Sequence, residues 1–168
     1  MLSAAGRPDT IANMPVSVSS PRGLARLARP LRAVVARVLR AERRRSGEIA
    51  VVISDDAFLR QINRQWRGID RATDVISFAY DERERDGATR PVRGDLLVSL
   101  DRVREQARRF RVTPGTELAR LVIHGTLHLC GHDHAKPAER RRMREREAAA
   151  LALAGAAVRE LDGTLAAR

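Results

Sequence analysis

All four histidines of this 168-residue chain fall within eleven residues, His124-Gly-Thr-Leu-His128-Leu-Cys-Gly-His132-Asp-His134. Neutral imidazole is the commonest metal-binding side chain, so such a cluster points first to metal chemistry. His124 and His128 are four residues apart. On a helix, that spacing puts both rings on one face about one turn apart, within reach of a single ion. Gly131 can take the left-handed conformation that stops a helix. The chain then reverses and can carry His134 back over the same point. Three neutral imidazoles leave a fourth tetrahedral position for water, as in an open catalytic zinc site. A zinc-bound water has its pKa lowered toward about 7, so hydroxide is available without a carboxylate base. His132 is one residue out of register and is expected in the loop rather than on the metal. Asp133 is either an acceptor for the N–H of a ligand ring or a solvated turn residue. Cys130, between Leu129 and Gly131, reads as a small core residue, although a thiol can also ligate zinc.

The elements around this cluster alternate between strand and helix. Residues 16–18 read as a short strand. Leu31, Val34, Val35, Val38 and Leu39 recur at helical spacing behind Pro30, which predicts a helix over 30–45. The first 45 residues are arginine-rich and acid-poor, as in an organelle transit peptide. A detachable peptide has no need of that apolar face, so the segment is expected in the domain, preceded by a flexible leader over 1–13. Residues 48–54 predict a buried strand. Ser54-Asp55-Asp56 supplies the cap and acidic first turn of a helix to Trp66. Strands follow over 74–79 and 95–100, with a charged loop over 81–93 between them. A basic helix is expected over 101–110, and Thr113-Pro114 caps a helix reaching Leu129. Pro137 opens a last helix that Gly155 ends, and 156–168 is expected to be a fraying C-terminal tail. The pattern is α/β or α+β in one domain, 14–155.

Composition sets the partners. Lys and Arg number 32 against 21 Asp and Glu, a net charge of +11. That field attracts polyanions, RNA or DNA first. Residues 22–45 alone carry nine arginines against Glu42. Lys136 is the only lysine, so a general arginine bias also contributes to the charge. Aromatic residues make up only 3%, too few for a broad base-stacking surface. The single cysteine excludes an intrachain disulfide and any four-cysteine zinc fold, and it fits a reducing compartment. No apolar run approaches the roughly 20 residues of a membrane-spanning helix.

The histidine spacing, with its intervening glycine, is also that of the metzincin proteases. Those enzymes carry glutamate, the general base, directly after the first histidine. Here Gly125 stands at that position, so a peptidase of that type lacks its base. Residues 124–134, His-Gly-Thr-Leu-His-Leu-Cys-Gly-His-Asp-His, more closely resemble the hallmark of the YbeY endoribonucleases, with His132 in place of the usual tyrosine. Ile62-Asn63-Arg64-Gln65-Trp66-Arg67, Thr73-Asp74-Val75-Ile76-Ser77-Phe78 and Gly94-Asp95-Leu96 resemble further blocks of that family, in the family's order.

The resemblance implies a small mixed sheet flanked by about five helices, with the metal at a cleft. It implies a zinc-dependent endonuclease of single-stranded RNA in the bacterial cytoplasm, acting in maturation of the small-subunit rRNA 3′ end and in ribosome quality control. It assigns His124, His128 and His134 as ligands of one zinc ion, with His124 and Arg67 as catalytic residues. His132, Asp133, Asp95 and Ser77 are candidates for the surrounding shell or the cleft wall. Arg67 can bind the nonbridging oxygens of a phosphodiester bidentately. Either water or the RNA 2′-OH can attack. Two other functions fit the same residues: another zinc hydrolase, peptidase-like, or a ribosome-associated factor with a structural zinc.

Overall fold

The computed structural model of the chain describes residues 16–80 and 91–167. Four strands and six α-helices follow in the order β1 (Val16–Ser19), α1 (Ala28–Ala41), β2 (Ser46–Ser54), α2 (Asp56–Arg67), β3 (Val75–Ala79), β4 (Val92–Ser99), α3 (Leu100–Phe110), α4 (Pro114–Leu129), α5 (Pro137–Ala152) and α6 (Gly155–Ala166). The sheet order is β1-β2-β4-β3. The first three strands are parallel, and β3 runs antiparallel to β4 as an edge strand. The architecture is thus mixed α/β around one small sheet.

The sheet separates two apolar layers. Leu31, Val34, Val35, Val38 and Leu39 of α1 meet Ile49, Val51 and Ile53 of β2 and Leu96 and Val98 of β4 in the main core. The opposite face is smaller. There Leu59 of α2 packs on Ile76 and Leu97, with Phe58, Ile62 and Phe78 around them. The local signals act as the sequence suggests. The Asp55 side chain accepts the Phe58 amide and starts α2, and Thr113 accepts the Thr116 amide and starts α4.

Helix α4 is the centre of the domain. Leu118, Leu121, Val122, Ile123 and Leu127 are fully buried. So is Glu117, which accepts two hydrogen bonds from Arg120, at 2.6 and 3.0 Å.

Five expectations are corrected or fall outside the described residues. Residues 156–168 do not fray through most of their length: α6 runs to Ala166, buries Leu161 and Leu165 against the core, and accepts the Gly115 amide on Asp162 at 2.7 Å. Its alanines and two glycines give a weak apolar period, but tertiary packing decides. Gly155 therefore opens α6 rather than ending α5. Pro30 is the third residue of α1, still in the turn where amides lack an intrahelical acceptor. Val92 and Arg93 belong to β4 instead of the expected loop, while 81–90, like the leader 1–13, lies outside the described residues.

Candidate metal centre

The last two turns of α4 carry His124 and His128, and the way the helix ends carries His134. Gly131 has φ +95, in the left-handed region that favours glycine. Its amide bonds to the His128 carbonyl at 2.9 Å, and the His132 amide bonds to the Leu127 carbonyl at 3.1 Å. This paired closure turns the chain back over the helix. His134 then faces the other two rings, with centroids 5.5 Å from His124 and 4.9 Å from His128. One ring nitrogen from each of the three lies within 4.8 Å of the others, and Nε2 of His124 and His128 are 3.1 Å apart.

The donor set fits a transition metal. His128 Nδ1 donates to the His132 carbonyl at 2.8 Å, so its Nε2 presents a lone pair to the cluster. Burial, and then the neighbouring His124, hold the His128 imidazole below its ordinary pKa, which favours the neutral, ligating form. His124 Nδ1 is paired with Glu147 of α5, leaving its Nε2 toward the same point. Three nearby histidines of this geometry can bind a metal ion.

Glu147 is a site residue that sequence reasoning missed. It is one of several acids on a highly charged helix, and nothing local marks it as facing a histidine 23 residues away. Such outer carboxylates fix the ring and raise its basicity. Glu147→Gln is expected to keep the fold and weaken zinc binding by about 10–100-fold, measured by competition with a chromogenic chelator. Unchanged affinity would reduce Glu147 to a packing contact.

His132 turns away from the cluster. Its Nε2 donates to Glu42 at 2.7 Å, and Glu42 also accepts from Arg146 at 2.6 Å. Burial pushes the Glu42 carboxyl up, but the bonds from His132 and Arg146 outweigh this and hold it below its usual range. Asp133 does not accept from a ring N–H; it accepts the main-chain amide of His134 at 2.6 Å and shapes the turn. The Cys130 thiol is pushed up to about 11 by burial first and the Glu42 charge second. It therefore stays protonated at neutral pH, and it lies outside the three-histidine group.

The histidines open into a cleft of about 920 Å³ whose lining includes Arg67, Ser77, Thr73, Asp74 and Arg44. Arg67 is exposed at the end of α2, where Gly68 closes the helix at φ +69. Among the described residues, no hydrogen bond or ion pair engages its guanidinium. Asp74 is occupied structurally, accepting from the Val75 amide at 2.8 Å and from Gln106 at 3.0 Å. Asp95 accepts from the Tyr80 hydroxyl and is not among the described residues lining the cleft. Arg44 is a second residue that sequence reasoning passed over as one of many. It donates to the Cys130 carbonyl at 3.3 Å, and its Nε is buried without a partner. Gly125 faces the sheet: a Cβ there would come within 2.9 Å of Leu96 Cδ2. A side chain there would require Leu96 to shift.

Fold and site together define an α/β domain whose cleft joins a candidate three-histidine metal centre to an arginine, an arrangement suited to polarising and cleaving an ester. The model of the family Endoribonuclease YbeY matches residues 19–155. An Endoribonuclease YbeY of Anaeromyxobacter sp. (strain Fw109-5) is 45% identical over 152 residues, covering 88% of this chain and 77% of that protein. The Chloroflexus aggregans Endoribonuclease YbeY is 43% identical over 124 residues, covering 70% of this chain and 81% of its own. The solution structure of TM1509 from Thermotoga maritima superposes with a TM-score of 0.56 at 28% identity, covering 90% of this chain and 92% of that one. The chain belongs to the YbeY endoribonuclease family.

Proposed function

We propose that this chain is a zinc-dependent endoribonuclease of single-stranded RNA, working in the bacterial cytoplasm on the 3′ end of small-subunit rRNA and in ribosome quality control. The observation that carries the proposal is the convergence of three imidazole nitrogens and the Arg67 guanidinium on one cleft. Family membership supports RNA as the substrate, and the +11 charge supports a polyanion.

In this mechanism His124, His128 and His134 hold the ion. Glu147 and the His132 carbonyl fix the rings of His124 and His128, so that their lone pairs converge without reorganisation during the reaction. When bound, zinc would supply Lewis acidity toward the scissile phosphate. Arg67 binds nonbridging oxygens of the scissile phosphate and stabilises the charge that develops on them. Gly125 disfavours a peptidase of the metzincin type, which needs a glutamate there.

Cleavage of a labelled single-stranded RNA should stop on chelation and return with added zinc, while peptide substrates stay intact. Activity that survives complete metal removal would overturn the assignment. Binding should also depend on salt. Among the described residues, Arg44, Arg67 and Arg93 line the cleft. At about −0.7 per phosphate contact on a single strand, the log–log slope of affinity against salt should be about −2 or steeper. A flat response would show that the positive charge is not a binding surface.

A further inference from the structure

Aromatic residues are scarce in this chain, with one tryptophan, one tyrosine and three phenylalanines. The structure nevertheless gathers four of the five on the α2 side of the sheet. Phe58 and Phe78 border the small apolar layer there, and the Trp66 ring lies 6.0 Å from Phe78 at an interplanar angle of 59°. Tyr80 follows Phe78 by two residues, and its hydroxyl reaches Asp95, the register partner of Phe78 on β4. Alternation along the strand therefore puts Tyr80 on the same face. Trp66 is 60% exposed, Tyr80 50% and Ile69 46%. Exposed apolar groups of this size can serve as a contact surface.

The position of this patch identifies what it contacts. Strand β3 is the edge of the sheet. Its other face, through Val75, Ser77 and Ala79, lines the histidine cleft, as does Arg67, the residue next to Trp66. A polymer crossing this edge meets Arg67 and the histidines on one side and Trp66 on the other. Charge favours a polyanion: residues 60–71 hold four arginines and one acid, Asp70, which Arg60 clasps at 2.7 and 3.0 Å. RNA bases offer a π-face for stacking only when unpaired.

We infer that Trp66 is a stacking site for a base of single-stranded RNA, holding the nucleotide beside the phosphate that Arg67 binds. The inference rests on the RNA-cleaving function proposed above. It gives that function a structural origin for single-strand preference, because a duplex keeps its base faces buried.

Trp66 is its own probe, being the only tryptophan. Mixing the zinc-loaded full chain with a single-stranded oligoribonucleotide in a stopped-flow instrument should quench its emission saturably before cleavage. The duplex of the same sequence should leave the emission unchanged. By fluorescence anisotropy of labelled RNA, Trp66→Ala should bind about 5–150-fold more weakly, and Trp66→Phe should recover most of the loss. One abasic nucleotide in a scan along the RNA should weaken binding to the parent protein and leave Trp66→Ala unaffected. The parent half of this comparison changes no side chain, so a loss seen there does not depend on the folding of a variant. Unchanged emission, with Trp66→Ala binding and cutting RNA like the parent, would overturn the inference and leave the nuclease assignment standing. A parent protein that neither binds nor cleaves RNA would overturn both. Emission that shifts with protein concentration alone would assign the patch to a second copy of the chain, and quenching by an acidic peptide but not by RNA would assign it to a protein partner; either result overturns the inference.

Discussion

His134→Ala is expected to lose most of the bound zinc while the protein stays folded. His134 is exposed on a turn, so its removal opens no cavity in the core. Its ring is nevertheless the only one of the three contributed from outside α4. Losing it leaves two donors on one helix face, too few to hold zinc against water. The loss should exceed the about 10–100-fold expected for an outer carboxylate such as Glu147. His124→Ala and His128→Ala should behave alike for metal. His132→Ala should retain the ion, because its ring is committed to Glu42. Metal content after gel filtration, with circular dichroism to verify folding, decides the matter. Full zinc in His134→Ala would dismantle the three-histidine assignment.

Arg67→Ala is expected to keep zinc, keep most RNA affinity and cleave slowly. A contact formed to charge that develops in the transition state is worth about 10²–10³ in rate. One phosphate contact among several changes affinity much less. Single-turnover cleavage of bound RNA separates the two quantities. Arg67→Lys should recover only part of the rate, since lysine keeps the charge but lacks the planar fork. Because the Arg67 guanidinium makes no hydrogen bond or ion pair with a described residue, the substitution removes none of those bonds. Cleavage of bound RNA by Arg67→Ala at the parent rate would make it a bystander at the cleft.

Much of this site was legible because its signals are local. The i, i+4 histidines, the glycine that reverses the chain and the Thr113-Pro114 start of α4 act within a few residues of themselves, and so does the apolar period of α1. Glu147 and Glu42 were not legible. They meet His124 and His132 across 23 and 90 residues, and only the packing of α5 and of the α1 end against α4 selects them from many similar acids. Asp133 was open for a related reason: a short carboxylate beside a ligand can serve the ring or the backbone, and the tight turn gives it to the backbone. Helix α6 was missed because alanine and glycine carry little periodic signal. The aromatic patch was missed because composition counts residues without saying that four of five share a face.

The three histidines do not share one mobility. Two stand on α4, a helix buried along most of its length, the kind of element that opens last. The third rides on a turn held by neighbours: the Asp133 carboxylate on its own amide, and Arg140 on the His134 and Ala135 carbonyls at 3.4 and 3.2 Å. Opening that turn disturbs almost none of the core. Opening it would free His134 and release the His132 carbonyl from His128 Nδ1, while the backbone of His124 and His128 stays in the helix. Loading is thus expected to be separable from folding: the polypeptide can complete its core first, and exchange of a bound ion should follow the opening of residues 131–136.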